Sequence, residues 1–224
     1  MMKRLCLMVA CALCFVLFPS CTGTELSREE THQLCEEYGE RIDWLKRVSG
    51  SYDMYPHSVK ETRRILSETG DNGREAWCVA TVISTKLEPR GILDSYNKEV
   101  TSVQIVLEVN DVLWGSMCAP GDWLTTYSSF FPDDEVEQPQ VGERYVALFT
   151  NTHYAGHNQM HGRWAFYLTE DNRLVSPFGC AVEEEQQRAE FEAQNPDGSY
   201  TRYPAVDYTG KTLEQFYNDV LLGV

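Results

Sequence analysis

Apolar and polar residues alternate with a period of two through the middle of the chain. The clearest run is 101–115, where Val103, Ile105, Leu107 and Val109 share one face. That period is typical of a strand buried on one side of an antiparallel sheet. Short runs rich in β-branched and aromatic residues predict the other strands, over 76–85, 121–131, 143–152, 163–171 and 172–178.

A period of three to four residues on both sides of these strands predicts helices. Ser27 and Glu30 form a capping-box pattern, and the apolar spacing that follows predicts a helix reaching residues 49–51. A second box at Ser58 predicts a short helix that ends in the turn-forming residues after Thr69. Residues 183–192 predict a polar helix.

A C-terminal helix is the last predicted element. Thr212 and Gln215 form a third capping box. The apolar residues at helical spacing there are Leu213, Phe216, Tyr217, Val220 and Leu221. We expect this stripe to pack on its own domain.

These elements predict a mainly β protein with flanking α-helices. Five or six antiparallel strands favour an OB-like barrel, because closure removes exposed sheet edges. A β-sandwich is the alternative, although it would require about seven strands. The predicted segments are an export signal over 1–20, a helical segment over 21–73, the OB-like barrel over 74–180, and a polar helix, loop and C-terminal helix over 181–224.

The N-terminus predicts export. Lys3 and Arg4 precede an apolar run over 5–18, which as a helix would rise about 21 Å against a hydrocarbon core of about 30 Å. This is the pattern of a signal peptide. Ser20-Cys21 resembles the end of a bacterial lipoprotein signal, which would lipidate Cys21 and hold the protein at a membrane surface of the cell envelope. Ordinary cleavage that releases a soluble secreted protein is the alternative.

The acidic charge restricts the partners. The formal net charge is -15, and loss of Lys3 and Arg4 with the signal would make it -17. Nucleic-acid binding depends on Lys and Arg that neutralise phosphates, so a nucleic-acid partner is disfavoured. An extracellular or envelope protein or a glycan fits better, with the lipid anchor as the contact to the membrane.

Four cysteines follow the signal and the lipidation candidate: Cys35, Cys78, Cys118 and Cys180. An even number in an exported chain predicts two disulfides. Four cysteines allow three connectivities, and the sequence does not choose among them.

Residues 76–178 resemble a domain of bacterial lipoproteins. The matching pieces are Val112-Leu113-Trp114-Gly115, Gly121-Asp122 and Val141-Gly142-Glu143-Arg144-Tyr145. The fold of that group resembles the OB-like barrel of the tissue inhibitors of metalloproteinases. Those inhibitors act through an N-terminal Cys-x-Cys, whereas Thr22 and Gly23 follow Cys21 here. The resemblance therefore implies a fold and not protease inhibition.

Three of the five histidines, His153, His157 and His161, recur at four-residue intervals. A helix would separate the first and last by about 12 Å and a strand by about 26 Å, whereas zinc ligands lie about 2.0–2.1 Å from the metal. Tyr154 stands where a zincin needs its glutamate. We interpret the stretch 151–163 as a hairpin loop, and a three-histidine metal site is the alternative.

Exposed aromatic residues are the other binding candidates. Phe130 and Phe131 adjoin a proline in a predicted loop, and Tyr154 lies in the histidine stretch. Trp123 and Trp164 fall in strand patterns, which predicts that both pack in the core.

We expect a non-catalytic, surface-anchored binding or interaction module with no required cofactor. Its candidate binding loops are 128–140 and 151–163, by analogy with OB barrels. The acidic run 133–137 offers oxygen ligands for calcium, although a solvated loop explains it as well. The alternatives are a metal-dependent secreted enzyme that uses the histidine stretch, with zinc as its ion, and an accessory structural subunit of an envelope assembly.

Overall fold

The computed structural model describes residues 25–48, 59–93, 99–130, 137–151, 158–177 and 207–224. The described strands are β1 (Glu75–Leu93), β2 (Glu99–Gly115), β3 (Trp123–Phe130), β4 (Arg144–Asn151), β5 (Asn158–Leu168) and β6 (Leu174–Val175). The described helices are α1 (Arg28–Tyr38), a 3-10 helix (Asp43–Arg47), α2 (Val59–Thr69), and α3 (Leu213–Phe216), which continues as a π-helical turn (Tyr217–Leu221). A mainly β fold with flanking helices is therefore confirmed.

The six strands form one antiparallel sheet in the order β3-β2-β1-β4-β5-β6. Within the described residues, no strand pairing between β3 and β5 closes the sheet. One hydrogen bond links these two strands directly, and an isolated bridge ties the segment after the 3-10 helix to β3. The Thr125 amide donates to Oδ1 of Asn158 over 3.3 Å, and Val48 forms an isolated bridge with Ser128. The described strands therefore form an open sheet, and the closed OB-like barrel stays a prediction.

Alternation along the strands separates two hydrophobic cores on opposite faces of the sheet. The inner core contains the predicted stripe of β2 and, from the other strands, Cys78, Ala80, Tyr145, Ala147 and Phe149. Residues in and next to the 3-10 helix also belong to it: Ile42, Trp44, Leu45 and Val48. The outer core includes Trp77, Val79, Val146, Leu148, Trp164, Phe166, Leu66, Phe216, Val220 and Leu221. The predicted packing of the C-terminal stripe is confirmed for Phe216, Val220 and Leu221, whereas Tyr217 is exposed.

The N-terminal helix is shorter than the sequence predicts. Its Ser27–Glu30 capping box forms as expected, but α1 ends at Tyr38 and contains no buried residue. The apolar residues that extended the helical pattern instead enter the 3-10 segment, where Trp44 and Leu45 are completely buried. Burying these side chains against the inner face of the sheet stabilises the fold more than a few further turns of an exposed helix would.

Strand β5 begins five residues earlier than predicted, so the second half of the histidine stretch is strand rather than loop. Gly162 explains how β5 accommodates the 3-10 helix. A Cβ built on Gly162 would lie 2.1 Å from the carbonyl oxygen of Leu45. Only a residue without a side chain permits this approach.

Among the described residues, no helix is long and apolar enough to cross a membrane.

Candidate functional site

The most exposed aromatic residue in the described chain lies on the outer surface of β2 and β3. Cross-strand register pairs Trp123 with Glu108, Thr125 with Val106, and Tyr127 with Gln104. These six residues form the Trp123 face. The residues between them, such as Leu124 and Leu107, point into the inner core.

The prediction that Trp123 packs in the core is wrong, because its side chain is 70% exposed. The same prediction is confirmed for Trp164, which is 1% exposed. Both residues lie in strands, but helices cover the outer face of β5, whereas no described element covers Trp123. Strand periodicity assigns a residue to a face of the sheet and does not say whether another layer covers that face.

Polar groups lie beside the exposed indole and further along the Trp123 face. Nε2 of Gln104 donates a hydrogen bond to the Tyr127 hydroxyl over 2.9 Å. Glu108 is exposed directly opposite Trp123. Along an extended strand, Trp123 and Tyr127 stand about 14 Å apart, with Thr125 between them on the same face. The face therefore presents two aromatic rings separated by hydrogen-bonding groups.

A second polar cluster lies at the junction of the N-terminal segment with the sheet. Glu143 is only 6% exposed, and its Oε1 accepts from Nε and Nη2 of Arg41 at 2.8 and 2.7 Å. Its Oε2 accepts from the Tyr145 hydroxyl at 2.7 Å and from the Gln140 amide at 2.9 Å. Nε1 of Trp44 donates to the same tyrosine oxygen at 3.2 Å. The carboxylate is thus fully hydrogen-bonded, as a buried charge requires.

This cluster binds the N-terminal segment to β4 and β5. The Arg41 guanidinium lies 5.9 Å from the ring centre of Tyr38 and 5.8 Å from that of Tyr167. Burial and the charge of Glu143 raise the pKa of Tyr145 well above its ordinary value. Burial lowers the pKa of Arg41, but its hydrogen bond to Glu143 and the negative charge there outweigh this effect and raise it. Arg41 therefore stays cationic and Tyr145 neutral, which suits a structural clamp.

His161 is the one predicted histidine ligand within the described residues. It is 5% exposed, and Nε2 lies 2.8 Å from Oγ1 of Thr150 on the neighbouring strand. Burial lowers its pKa to about 4, so the ring is neutral at pH 7. His153 and His157 lie outside the described residues, so a site using all three histidines stays a prediction. Within the residues that are described, no group of three His, Cys, Asp or Glu side chains could hold a metal ion.

No protein-family model, curated protein or solved structure matches this chain. The resemblance to the barrel of the metalloproteinase inhibitors therefore stays a prediction.

Most of the other predicted site residues lie outside the described chain. Phe131, Tyr154, the acidic residues 133–136, Cys21 and Cys180 are in this group, and for Phe130 only the backbone is described, as the last residue of β3. Cys78 and Cys118 are free thiols in the described chain, whereas Cys35 is not among the free cysteines.

Sequence reasoning missed the Trp123 face and the Arg41–Glu143 pair. The sequence places Glu143 in a matching motif at the start of a predicted strand, where a glutamate is ordinarily solvated. Its partner Arg41 is 102 residues away in the chain, in a segment predicted to be helical. The sequence does contain one indication that Trp123 is exposed. Gln104, Glu108 and Thr125, which share its face of the sheet, are polar residues at outward positions of predicted strands.

Proposed function

We propose that this chain is a non-catalytic binding module that recognises a glycan on the Trp123 face. We further propose that it is exported and held at the cell envelope by a lipid on Cys21. The observation that carries the proposal is the 70% exposure of Trp123 among hydrogen-bonding side chains.

The chemistry of this face suits a sugar. A pyranose ring has an apolar face of C–H groups, which stacks on an aromatic ring, and an equatorial rim of hydroxyls that need donors and acceptors. Trp123 offers the stacking surface, and the exposed carboxylate of Glu108 lies opposite it on β2. Gln104 and Tyr127 extend the face with an amide and a hydroxyl. The separation of about 14 Å along the strand between Trp123 and Tyr127 suits an extended oligosaccharide better than a single sugar.

A protein partner fits this face less well. The exposed large apolar residues of the described chain are Leu87, Trp123, Val141, Tyr217 and Leu222. On the face itself Trp123 has Glu108 opposite it and Thr125 next along its strand. Val106 is the one aliphatic side chain among the six residues, so the face lacks the contiguous apolar centre of a protein interface. Nucleic acid is disfavoured by the formal net charge of -15.

An analogy of fold also supports a sugar. OB barrels bind oligosaccharides and oligonucleotides on the face of their second and third strands. The Trp123 face is built by β2 and β3 of a curled six-stranded antiparallel sheet. The analogy says where such barrels bind, and the residues on this face favour the sugar over the oligonucleotide.

The test is a binding screen with matched tryptophan variants. The purified chain is applied to an array of bacterial and host oligosaccharides and to insoluble polysaccharides, and hits are measured by calorimetry. We expect Trp123→Ala to weaken binding about tenfold or more, and Trp123→Phe to weaken it less, since stacking contributes about 0.5–1.5 kcal/mol beyond the buried area. Tyr217→Ala is the control, because Tyr217 is also exposed but lies on the C-terminal π-helical turn.

Unchanged binding by Trp123→Ala would place the glycan elsewhere, with the loops 128–140 and 151–163 as the next sites to examine. Absence of any hit, together with capture of one envelope protein that Trp123→Ala abolishes, would replace the glycan by a protein ligand. Turnover of a substrate by the purified chain would contradict a non-catalytic module.

A further inference from the structure

Two free cysteines distant in sequence meet at one end of the sheet. Cys78 lies on β1 and belongs to the inner core, where it is completely buried. Cys118 lies in the connection between β2 and β3, is half-buried, and packs against the same core. The two residues are 40 positions apart in the chain. The thiols of Cys78 and Cys118 lie within hydrogen-bonding reach of each other.

The backbone around Cys118 holds it over this end of β1. Cys78 pairs with Val112 on β2, and Ala80 pairs with Val109. The connection that carries Cys118 folds back onto the same part of β2. The Gly121 amide donates to the Val109 carbonyl over 2.8 Å, and the Val109 amide donates to the Asp122 carbonyl over 2.9 Å.

A turn closes the connection immediately after Cys118. The Ala119 amide donates to Oδ2 of Asp122 over 2.8 Å, and the Asp122 amide donates to the Ala119 carbonyl over 3.0 Å. The position of Cys118 is therefore fixed by the hydrogen-bonded backbone that follows it. The contact between the two sulphurs follows from the fold.

We propose that Cys78 and Cys118 are a disulfide-forming pair, oxidised by thiol–disulfide exchange with a disulfide donor of the oxidising compartment that the chain enters. The bond would join β1 to the β2–β3 connection. Of the three possible connectivities of the four cysteines, it would select the one that pairs Cys78 with Cys118 and leaves Cys35 for Cys180. The proposal rests on the proposed export of the chain, and not on the Trp123 face or its ligand.

The two cysteines differ in their roles in the exchange. The hydrogen bond from Cys78 lowers the pKa of Cys118, although burial and the charge of Asp122 oppose that effect. The same contact and burial raise the pKa of Cys78. The attacking group is therefore the half-buried Cys118 thiolate, and the buried Cys78 acts second.

The exchange balances in two steps. The Cys118 thiolate attacks one sulphur of the donor disulfide, the donor S–S bond breaks, and one donor thiolate leaves with the electron pair. A mixed disulfide between Cys118 and the donor remains. Cys78 then loses its proton and attacks the Cys118 sulphur, which expels the second donor thiolate. The two protein thiols lose two electrons and two protons, and the donor disulfide gains both to become two thiols.

The test uses the purified full chain, reduced and then exposed to oxidised glutathione. Free thiols are blocked, and the digest is mapped by mass spectrometry without reduction. We expect a peptide pair linked through Cys78 and Cys118 whose mass is lower by two hydrogens. Closing a loop of 40 residues should raise the melting temperature by roughly 8–16 °C relative to the reduced chain.

Two single variants separate the roles of the sulphurs. Cys78→Ser should accumulate a stable mixed disulfide with glutathione on Cys118, because the resolving thiol is absent. Cys118→Ser should leave Cys78 unmodified while the chain stays folded, because that thiol is buried. Both variants should melt near the temperature of the reduced wild type, which shows that neither has unfolded.

Persistence of both thiols in the folded wild type after oxidation would overturn the proposal. A linked pair that joins Cys118 to Cys35 or Cys180 would overturn it as well. Failure of glycan binding leaves these outcomes unaffected, so the two proposals can fail separately.

Discussion

The buried histidine predicts that stability falls when the pH is lowered through a defined range. His161 is 5% exposed on β5 and is held neutral, with a pKa of about 4 against 6.5 for an unperturbed histidine. In the unfolded chain the same ring takes up a proton near pH 6.5. Between these two values the unfolded state binds more protons than the folded state. Stability therefore rises with pH in this window and is lost as the pH falls from 6.5 towards 4.

The magnitude follows from the two pKa values. Across the whole window the effect on the free energy of unfolding approaches about 3 kcal/mol. Between pH 7.5 and pH 5.5 it amounts to about 1.3 kcal/mol. The upper part of the window is preferable, because the sequence pI is about 4.7 and the chain would lose solubility at lower pH.

The assay is urea denaturation of the wild type and two histidine variants at both pH values. We expect His161→Gln to remove about 1.3 kcal/mol of the pH-dependent difference, or a shift of about 0.6 M in the urea midpoint for a slope near 2 kcal/mol/M. Carboxylates contribute equally to all three proteins, so the comparison isolates the histidine. His32→Gln is the matched control, because the His32 side chain is 62% exposed and lies beside the exposed Glu36.

A wild type and a His161→Gln variant with the same pH dependence would refute the reasoning. That outcome would mean that the His161 ring takes up a proton in the folded state as readily as in the unfolded state, because it is accessible to water or is charged while buried. Loss of the pH dependence in His32→Gln would instead assign it to an exposed group.

Two other changes test the polar groups inside the fold. Glu143→Gln should lower the free energy of unfolding by about 1–3 kcal/mol, because Arg41 loses its charged partner. Urea denaturation measures this loss, and a change below experimental error would show that the ion pair does not contribute to stability. Thr126→Val should leave the free energy of unfolding unchanged or raise it by about 1 kcal/mol, since within the described chain the buried Thr126 hydroxyl has no hydrogen-bond partner. A clear fall in the melting temperature would show that this hydroxyl does form a hydrogen bond.

Local patterns predicted much of the fold. The alternation of β2 predicted its buried stripe correctly, because a strand has two faces and apolar side chains occupy the covered one. The capping boxes at Ser27 and Thr212 also form as predicted. A cap depends on residues three positions apart, so its geometry is fixed by the chain nearby.

Predictions that depend on what covers an element failed more often. The residues after Tyr38 keep a helical pattern, yet Trp44 and Leu45 enter the mouth of the sheet as a short 3-10 segment. His161 was considered as part of a loop and lies buried in β5, where Gly162 lets the Leu45 carbonyl approach. Neither result follows from local spacing, because both depend on contacts between segments more than 100 residues apart.

The sequence by itself determined the strand faces, the helix starts and the acidic charge that disfavours nucleic acid. Tertiary structure alone decided that Trp123 is exposed, that Arg41 meets Glu143 and that Cys78 meets Cys118. Period and composition report on the immediate neighbours of a residue. Whether a side chain is exposed, forms an ion pair or meets another thiol depends on which segments distant in sequence pack against it. Those contacts form only when the whole chain folds.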